Sequence, residues 1–351
     1  MRIDLGKVKI GDDQPIFIIA EISANHCGDY NIARQTIKAA AEAGAHAVKV
    51  QTYTADTLTI NVDNPYFRIN GGTPWDGNTL YELYQKAYTP WEWQPELKKI
   101  SEDLGLIFFS SPFDNSAVDF LENLNVLLYK IASFEMEDTP LIEYIASKGK
   151  PIIMSTGIAT VDIINDAIQA CKKSNNDKII LLKCTSAYPS KISEANLLTI
   201  PDMIKRFDTI IGISDHSLGL QIPAAAVALG AKVIEKHFIL DRKLGGPDAS
   251  FSLSPKEFEK MVKIVGDIEK SLGTVDYKPK KDKNTIFFSR SLFVVADIKK
   301  GEIFTEHHIR SIRPGFGLSP KFYNKILGKK AKKTLTRGTP LESSQIEDFG
   351  L

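Results

Sequence analysis

Cysteine is scarce in this sequence: Cys27, Cys171 and Cys184 are the three in 351 residues, and none stands in a CxxC pair. Three thiols cannot all pair with one another, so a disulfide-stapled secreted fold is excluded and a reducing compartment, by default the cytoplasm, is expected. Long hydrophobic runs are absent too. No stretch approaches the ~18 apolar residues that span a bilayer, so no membrane anchoring is expected. The opening residues, MRIDLGKVKIGDDQPIFIIAE, lack a basic segment leading into an apolar core, which argues against a secretory leader. Nor is there an excess of one charge: 44 Lys and Arg against 43 Asp and Glu leave a formal net charge of +1. That balance gives no electrostatic footing for nucleic acid or anionic lipid, so any anion site must be local.

What the chain has is an ordinary globular composition, 43% hydrophobic and 25% charged. Short Ile- and Val-rich runs alternate with longer segments of helical period, the pattern of repeated βα units around a parallel sheet. Eight such runs, FIIAE, AVKVQT, LIFFS, LLYKI, PIIMS, KIILLK, TIIGIS and KVIEKH, predict an α/β fold of the (β/α)8 TIM-barrel type. Helices are predicted over 32–43, 96–104, 140–147, 161–171 and 221–229. A longer gap at 61–93, rich in glycine and aromatics, reads as an insertion over the barrel mouth. A helix over 258–272, with Met261, Val262, Ile264, Val265 and Ile268 spaced for one apolar face, ends a first domain at 1–272. A Lys-rich linker, 273–287, then leads to a small second domain at 288–351, built of short strands split by Gly and Lys turns. Its cluster of Lys329, Lys330, Lys332 and Lys333 reads as a solvated face.

Barrel enzymes carry their chemistry at the C-terminal ends of the strands. Here those ends are unusually polar, offering Glu21, Lys49, Gln51, Ser111, Lys130, Ser133, Ser155, Ser214, His216, Glu235 and His237. The start of each loop accounts for the serines but not for the charges. Residues two apart on a strand share a face, so Lys49 with Gln51, Ser214 with His216, and Glu235 with His237 point into one space. Buried lysines and glutamates cost several kcal/mol unless paired, so these groups need ligands or one another.

His216 and His237 end successive runs, and two adjacent imidazoles can hold a divalent metal, with substrate oxygens and water completing its shell. For one histidine alone, a hydrogen-bonded core residue is the better reading. His26 is a third ligand or lines the cavity; His46, His307 and His308 are assigned no role. Lys49 and Lys130, with Ser111, Ser133, Ser155 and Ser214, make a cationic, donor-rich bowl suited to a small phosphorylated acid. The same lysines also suit a Schiff-base aldolase.

In order along the chain, AEISANHCGD, AVKVQTYTADTLT, SSPFD, YKIAS, STGIAT, GISDHSLG, VIEKHFILDR and GGPDASFSL resemble the sialic acid synthase family, and the resemblance runs over nearly the whole length. The tail, SRSLFVVADIKKGEIFT followed by RPGFG, resembles the antifreeze-like (SAF) domain of these enzymes. Such synthases condense phosphoenolpyruvate with an open-chain amino sugar, giving a nine-carbon α-keto acid and phosphate. Within the family, GGTPWDGNTLYELYQKAYTPWEW and LLKCTSAYPS look most like the pseudaminate branch, whose sugar is 2,4-diacetamido-2,4,6-trideoxy-L-altrose. Two departures mark this chain. Ser186 stands where neuraminate synthases usually carry Asn, and GGPDASFS replaces the common GPDH, keeping Asp248 but not the residue after it.

Position by position, the resemblance assigns His216 and His237 to a divalent metal, manganese or magnesium, with cobalt a further candidate. It assigns Lys49, Ser111, Lys130, Ser133, Ser155, Ser186, Tyr188 and Ser214 to phosphoenolpyruvate. Gln51, Asp248 and Glu21 would face the sugar, with Glu21 or Glu235 moving the proton. Arg313 is expected to reach the barrel of a partner in a domain-swapped homodimer. Neuraminate or legionaminate synthesis is the alternative within the family. A Schiff-base aldolase and a non-catalytic carbohydrate-binding protein are the alternatives outside it.

Overall fold

A computed structural model describes residues 1–73, 75–278 and 283–350. They fall into two compact units, Met1–Gly273 and Thr274–Leu351.

The first unit is a closed barrel of eight parallel strands. These are β1 (Phe17–Glu21), β2 (Ala47–Thr52), β3 (Ile107–Pro112), β4 (Tyr129–Ile131), β5 (Ile152–Ser155), β6 (Ile179–Cys184), β7 (Ile210–Asp215) and β8 (Val233–His237). Each pairs with its neighbours in sequence, and β8 closes the barrel against β1. All eight predicted strands are present. Their near-continuous apolar runs follow from burial on both faces, one toward the barrel axis and one toward the helical layer.

Two apolar clusters record those faces. The outer cluster joins Ile18, Val48, Phe108 and Tyr129 to helix residues such as Ile37, Leu121 and Ile142. The inner cluster holds Phe17, Ile19, Ala47, Ile107, Phe109, Leu128, Ile153, Ile180, Leu182, Ile210 and Val233. Gly212 occupies an inner position of β7 where a Cβ would lie 2.6 Å from Leu182 Cδ2 and 2.4 Å from the Val233 carbonyl, so only glycine lets Leu182 fill the axis. Inner positions are apolar at the strand starts and polar at the strand ends, so the site sits directly on the packed core.

The starts of the strands are closed by a feature the sequence reading missed. An antiparallel hairpin, Arg2–Asp4 with Lys9–Gly11, adds Ile3, Leu5 and Ile10 to the inner cluster. Its three-residue strands are too short for a period-two pattern to register. The predicted helices are present at Tyr30–Glu42, Gln94–Asp103, Thr139–Ala146, Val161–Lys173, Gln221–Ala228 and Pro255–Leu272. Asn115–Asn123 and Thr199–Arg206 are further helices that the sequence reading did not place.

The insertion after β2 does lie over the mouth. The Ile69 N–H donates to the Asn78 carbonyl at 2.9 Å, and the helix Leu80–Ala87 follows, its N-terminus held by a reciprocal Thr79–Glu82 capping box. The Trp75 indole N–H donates to the Pro247 carbonyl at 3.2 Å, tying the insertion to the loop after β8.

In the second unit, β9 (Ser291–Val294) pairs antiparallel with β10 (Ile309–Ile312) over a core of Leu292, Val294, Phe304, Ile309, Leu335 and Ile346. Of the linker expected at 273–287, residues 279–282 lie outside the described residues and 283–288 are helical. Arg313 follows β10, its guanidinium 5.8 Å from the Phe288 ring within the same unit.

Candidate active site

The first polar layer above the inner core is one network of charges. Register places Glu21 beside Lys49 and Glu235 beside Ser214. Lys49 and Glu21 form a close ion pair, and Lys49 Nζ and Lys130 Nζ each lie 3.9 Å from Glu235 Oε1. All four side chains are at most 6% exposed. Ser214 donates to Glu235 at 3.1 Å, Lys49 reaches Ser111 Oγ at 3.5 Å, and Lys130 donates to the Ile131 carbonyl at 2.8 Å. Two lysines thus face two glutamates; both oxygens of Glu21 are engaged, by Lys49 and Gln51, whereas Glu235 Oε2 is buried without a hydrogen-bond partner, a place for an incoming donor.

The two carboxylates differ. Burial raises Glu21 to about 7 against the pull of Lys49, and the charge of Glu235 adds to the rise. Burial would raise Glu235 too, but Lys130, Lys49 and the Ser214 hydroxyl outweigh it and hold Glu235 below its ordinary range. Neighbouring carboxyl groups pushed apart in this way suit different roles, one able to carry a proton at neutral pH and one fixed as an anion. Burial lowers Lys130, whereas for Lys49 the nearby carboxylates overcome burial and raise it.

Above this layer, Gln51 donates to Glu21 at 3.2 Å and to Ser23 at 3.0 Å. Ser186 donates to Ser133 at 2.7 Å, and Ser133 accepts from the Ile158 N–H at 3.1 Å. Gly157 makes this approach possible, since a Cβ there would lie 2.1 Å from Ser186 Oγ and 2.7 Å from Ser133 Oγ. Ser155 is buried with its hydroxyl unpartnered.

His216 and His237 stack obliquely, ring centroids 5.2 Å apart, walled by Tyr188 at 4.4 Å from the first and Phe251 at 4.9 Å from the second. His216 Nδ1 lies 3.1 Å from the Thr185 carbonyl, which can only accept, so that nitrogen carries the hydrogen and Nε2 is left free. Burial, reinforced by His216 and by Lys49, drives His237 well below its ordinary value, so it is neutral. Its Nδ1 is buried without a hydrogen-bond partner, 3.9 Å from Asp248 Oδ2. Two oriented imidazoles with unsatisfied nitrogens fit two ligand positions of a divalent metal. Among the described residues no group of three or more His, Cys, Asp and Glu gathers to hold a metal, so substrate and water would supply the remaining positions.

His26, read as a ligand or cavity lining, is corrected to a loop anchor. Its Nδ1 accepts from the Gly28 N–H at 3.0 Å, its Nε2 bonds Thr89 at 3.2 Å, and its ring packs on Trp93. Three residues of the site were missed. Glu135 sits in a 3-10 turn after β4, raised by burial to about 7, with one oxygen unpartnered. Cys184 is the inner residue ending β6, 3.8 Å from His216; it reads as core in sequence because a lone cysteine is usually a small hydrophobe. Phe251 carries no sequence signal beyond its place after Asp248.

A cavity of about 390 Å³ opens from His237, Asp248, Gln51 and Ser23 outward. Glu135 and Tyr188 line its side, and Ile69, Trp75, Leu80, Leu83 and Tyr84 of the insertion form an apolar outer wall.

The model of the NeuB family matches residues 36–277, and that of the SAF domain matches 289–347. The chain belongs to the NeuB family. Among relatives in this family, the pseudaminic acid synthase of Helicobacter pylori is 49% identical over 336 residues, covering 95% of this chain and 98% of its own. That of Campylobacter jejuni (strain 81-176) is 47% identical, covering 95% and 97%. The N,N'-diacetyllegionaminic acid synthase of Legionella pneumophila is more distant at 36%, covering 96% of each chain. Among solved structures, an N-acetylneuraminic acid synthetase of Leptospira borgpetersenii superposes with a TM-score of 0.72 at 35% identity, covering 81% of this chain and 94% of that one. The NeuB assignment accounts for a polar layer on a TIM barrel, since it makes the strand ends a reaction site and the tail a SAF domain.

Proposed function

We propose that this chain is a pseudaminic acid synthase, condensing phosphoenolpyruvate with 2,4-diacetamido-2,4,6-trideoxy-L-altrose. The similarity to pseudaminic acid synthases at 46–49% identity, against 36–37% for legionaminate synthases, carries the choice of sugar. The cavity supports it, because a methyl-terminated sugar suits an outer wall of Ile69, Trp75, Leu80 and Leu83.

In this reading Lys49 and Lys130 hold the phosphate and carboxylate of phosphoenolpyruvate on the inner polar layer, with Ser111, Ser133, Ser155, Ser186 and Ser214 as further donors and Tyr188 above them. Gln51 and Asp248 orient the sugar. C3 of phosphoenolpyruvate attacks the aldehyde carbon, water adds at C2, and the tetrahedral adduct loses phosphate by C–O cleavage. The lysines meet the charge that grows on the departing phosphate. Glu21, raised to about 7, is placed to deliver a proton to the new alkoxide or to take one from water, with Glu235 as the fixed anion that keeps both lysines charged. His216 and His237 would hold manganese, magnesium or cobalt, which when bound supplies Lewis-acid polarisation of the aldehyde.

The SAF domain with Arg313 is proposed to serve the barrel of a partner chain in a homodimer, and the enzyme to act in the cytoplasm. All three cysteines are free thiols, and among the described residues no helix is long and apolar enough to cross a membrane. The deciding experiment offers phosphoenolpyruvate with each candidate sugar, following phosphate release and the mass of the nine-carbon product. Turnover of the neuraminate or legionaminate precursor in preference to the altrose would overturn the choice of sugar.

A further inference from the structure

Asp215 and Lys236 flank the two histidines in sequence but face the other way. Both are buried, at 3% and 0% side-chain exposure, and Lys236 Nζ lies 2.5 Å from Asp215 Oδ2. Lys236 also donates to the Ser217 carbonyl, and Asp215 Oδ1 accepts from the Ser217 N–H at 2.9 Å. Among the described polar side chains this buried pair takes no part in the polar layer of the mouth.

Its place in the ladder gives it a purpose. The pairing of β7 with β8 runs through Ile234–Ile213 and Glu235–Ser214 and ends at Lys236–Asp215. His216 lies one residue beyond the last pair, and His237 is paired to Glu21 on β1. The β7–β8 ladder therefore stops one residue short of pairing the two histidines directly, and beyond it the His216 carbonyl accepts from the Ser190 N–H at 3.1 Å. The Asp215–Lys236–Ser217 clamp closes the outer face where that pairing stops, and it holds the backbone on both sides of His216. We infer that Asp215 and Lys236 are positioning residues that set the spacing of the His216 and His237 imidazoles for a divalent cation.

The inference rests on the two-imidazole metal reading above, and it differs from a purely structural role in what it predicts. A buried ion pair is a weak source of stability and can often be replaced by apolar residues of similar volume without loss of fold. A support behind a metal ligand, in contrast, typically governs affinity by about 10- to 100-fold.

The test is Mn²⁺ binding, followed by calorimetry and by the EPR signal of free Mn²⁺, in the full-length parent, in Asp215→Asn and in Asp215→Leu with Lys236→Met. Asp215→Asn keeps the shape and removes the charge; the double variant removes the pair together. The apo melting temperature of each variant is recorded as the control for folding. The expected result is a dissociation constant raised in Asp215→Asn and raised further, at least about 10-fold, in the double variant, with apo melting near that of the parent in the double variant and lowered in Asp215→Asn, where Lys236 loses its buried partner. If the double variant does not fold, Asp215→Asn decides alone. Mn²⁺ affinity within about 2-fold of the parent in every folded variant, against the 10- to 100-fold expected of a ligand support, overturns the inference and leaves the metal reading standing. A parent that binds no Mn²⁺ overturns the metal reading and the clamp with it.

Discussion

Glu21 and Lys49 form a buried ion pair across the β1–β2 ladder, on the same inner face as the apolar core below them. Removing either charge alone leaves the other buried, a loss of roughly 3–5 kcal/mol. Glu21→Gln keeps the shape and a hydrogen-bond partner for Lys49, so it separates chemistry from packing. Turnover is expected to fall by about 10²–10⁴ with Mn²⁺ binding unchanged. Single-turnover phosphate release and Mn²⁺ calorimetry check both halves, and unchanged turnover would remove Glu21 from proton transfer.

The second prediction concerns pH. Glu135 is raised by burial from 4.5 to about 7, so between those values the native state holds a proton that the unfolded chain has released. With more protons on the native state, stability falls as pH rises through that window, by at most about 1.4 kcal/mol per unit for one group. Glu21 adds a fall of the same sign over the same window. Urea unfolding of the parent and Glu135→Gln from pH 4 upward should therefore show the variant gaining on the parent up to about 7 and running parallel above it. Curves parallel throughout would mean that Glu135 is not raised.

A third test separates condensation from Schiff-base chemistry. Borohydride treatment with substrate present should leave Lys49 and Lys130 unmodified by mass spectrometry. Lys130→Met should raise KM for phosphoenolpyruvate and lower kcat/KM by about 10²-fold or more, the cost of a lost charge-assisted contact. A reduced adduct at either lysine would favour the aldolase.

Chelation gives a fourth. Activity should vanish with EDTA and return with Mn²⁺, while His237→Ala should abolish it beyond rescue and keep the fold. Since His237 is neutral and its Nδ1 unpartnered, its loss from the apo protein removes no ion pair. The apo melting temperature should stay near that of the parent, and a collapse of melting would instead make His237 structural.

The outer wall supplies the fifth. An apolar pocket discriminates against an added hydroxyl only modestly, by up to about 10²-fold. Leu83→Asn, which puts an amide into the wall, should narrow the preference for the 6-deoxy sugar over N-acetylmannosamine, as measured by the ratio of kcat/KM values. An unchanged ratio would place the terminal methyl elsewhere.

The barrel was legible because its strands are buried on both faces, leaving long apolar runs that end in charges. Lys49, Lys130, Glu235 and His237 stand out for that reason: nothing apolar explains a charge inside such a run. Glu135 was not legible, because it lies in a turn beyond its strand, where glutamate is unremarkable and only the folded chain reveals its burial. His26 misled in the opposite direction, a metal-type residue in the loop after β1 whose two nitrogens are both spent on Gly28 and Thr89. The Asp215–Lys236 pair was hidden by its neighbours, since alternation puts it on the face away from the histidines that draw the eye.

The hairpin of Ile3, Leu5 and Ile10 has a kinetic consequence. The hairpin packs beneath the inner cluster, at the end of the barrel away from the cavity that opens past the insertion. On the proposed reading, the phosphoenolpyruvate held by Lys49 and Lys130 lies on the inner polar layer and the sugar lies above it, toward the cavity mouth. That placement predicts ordered entry, deep partner first, with the sugar trapping the phosphorylated acid behind it, so isotope exchange of phosphoenolpyruvate should be suppressed as the sugar concentration rises.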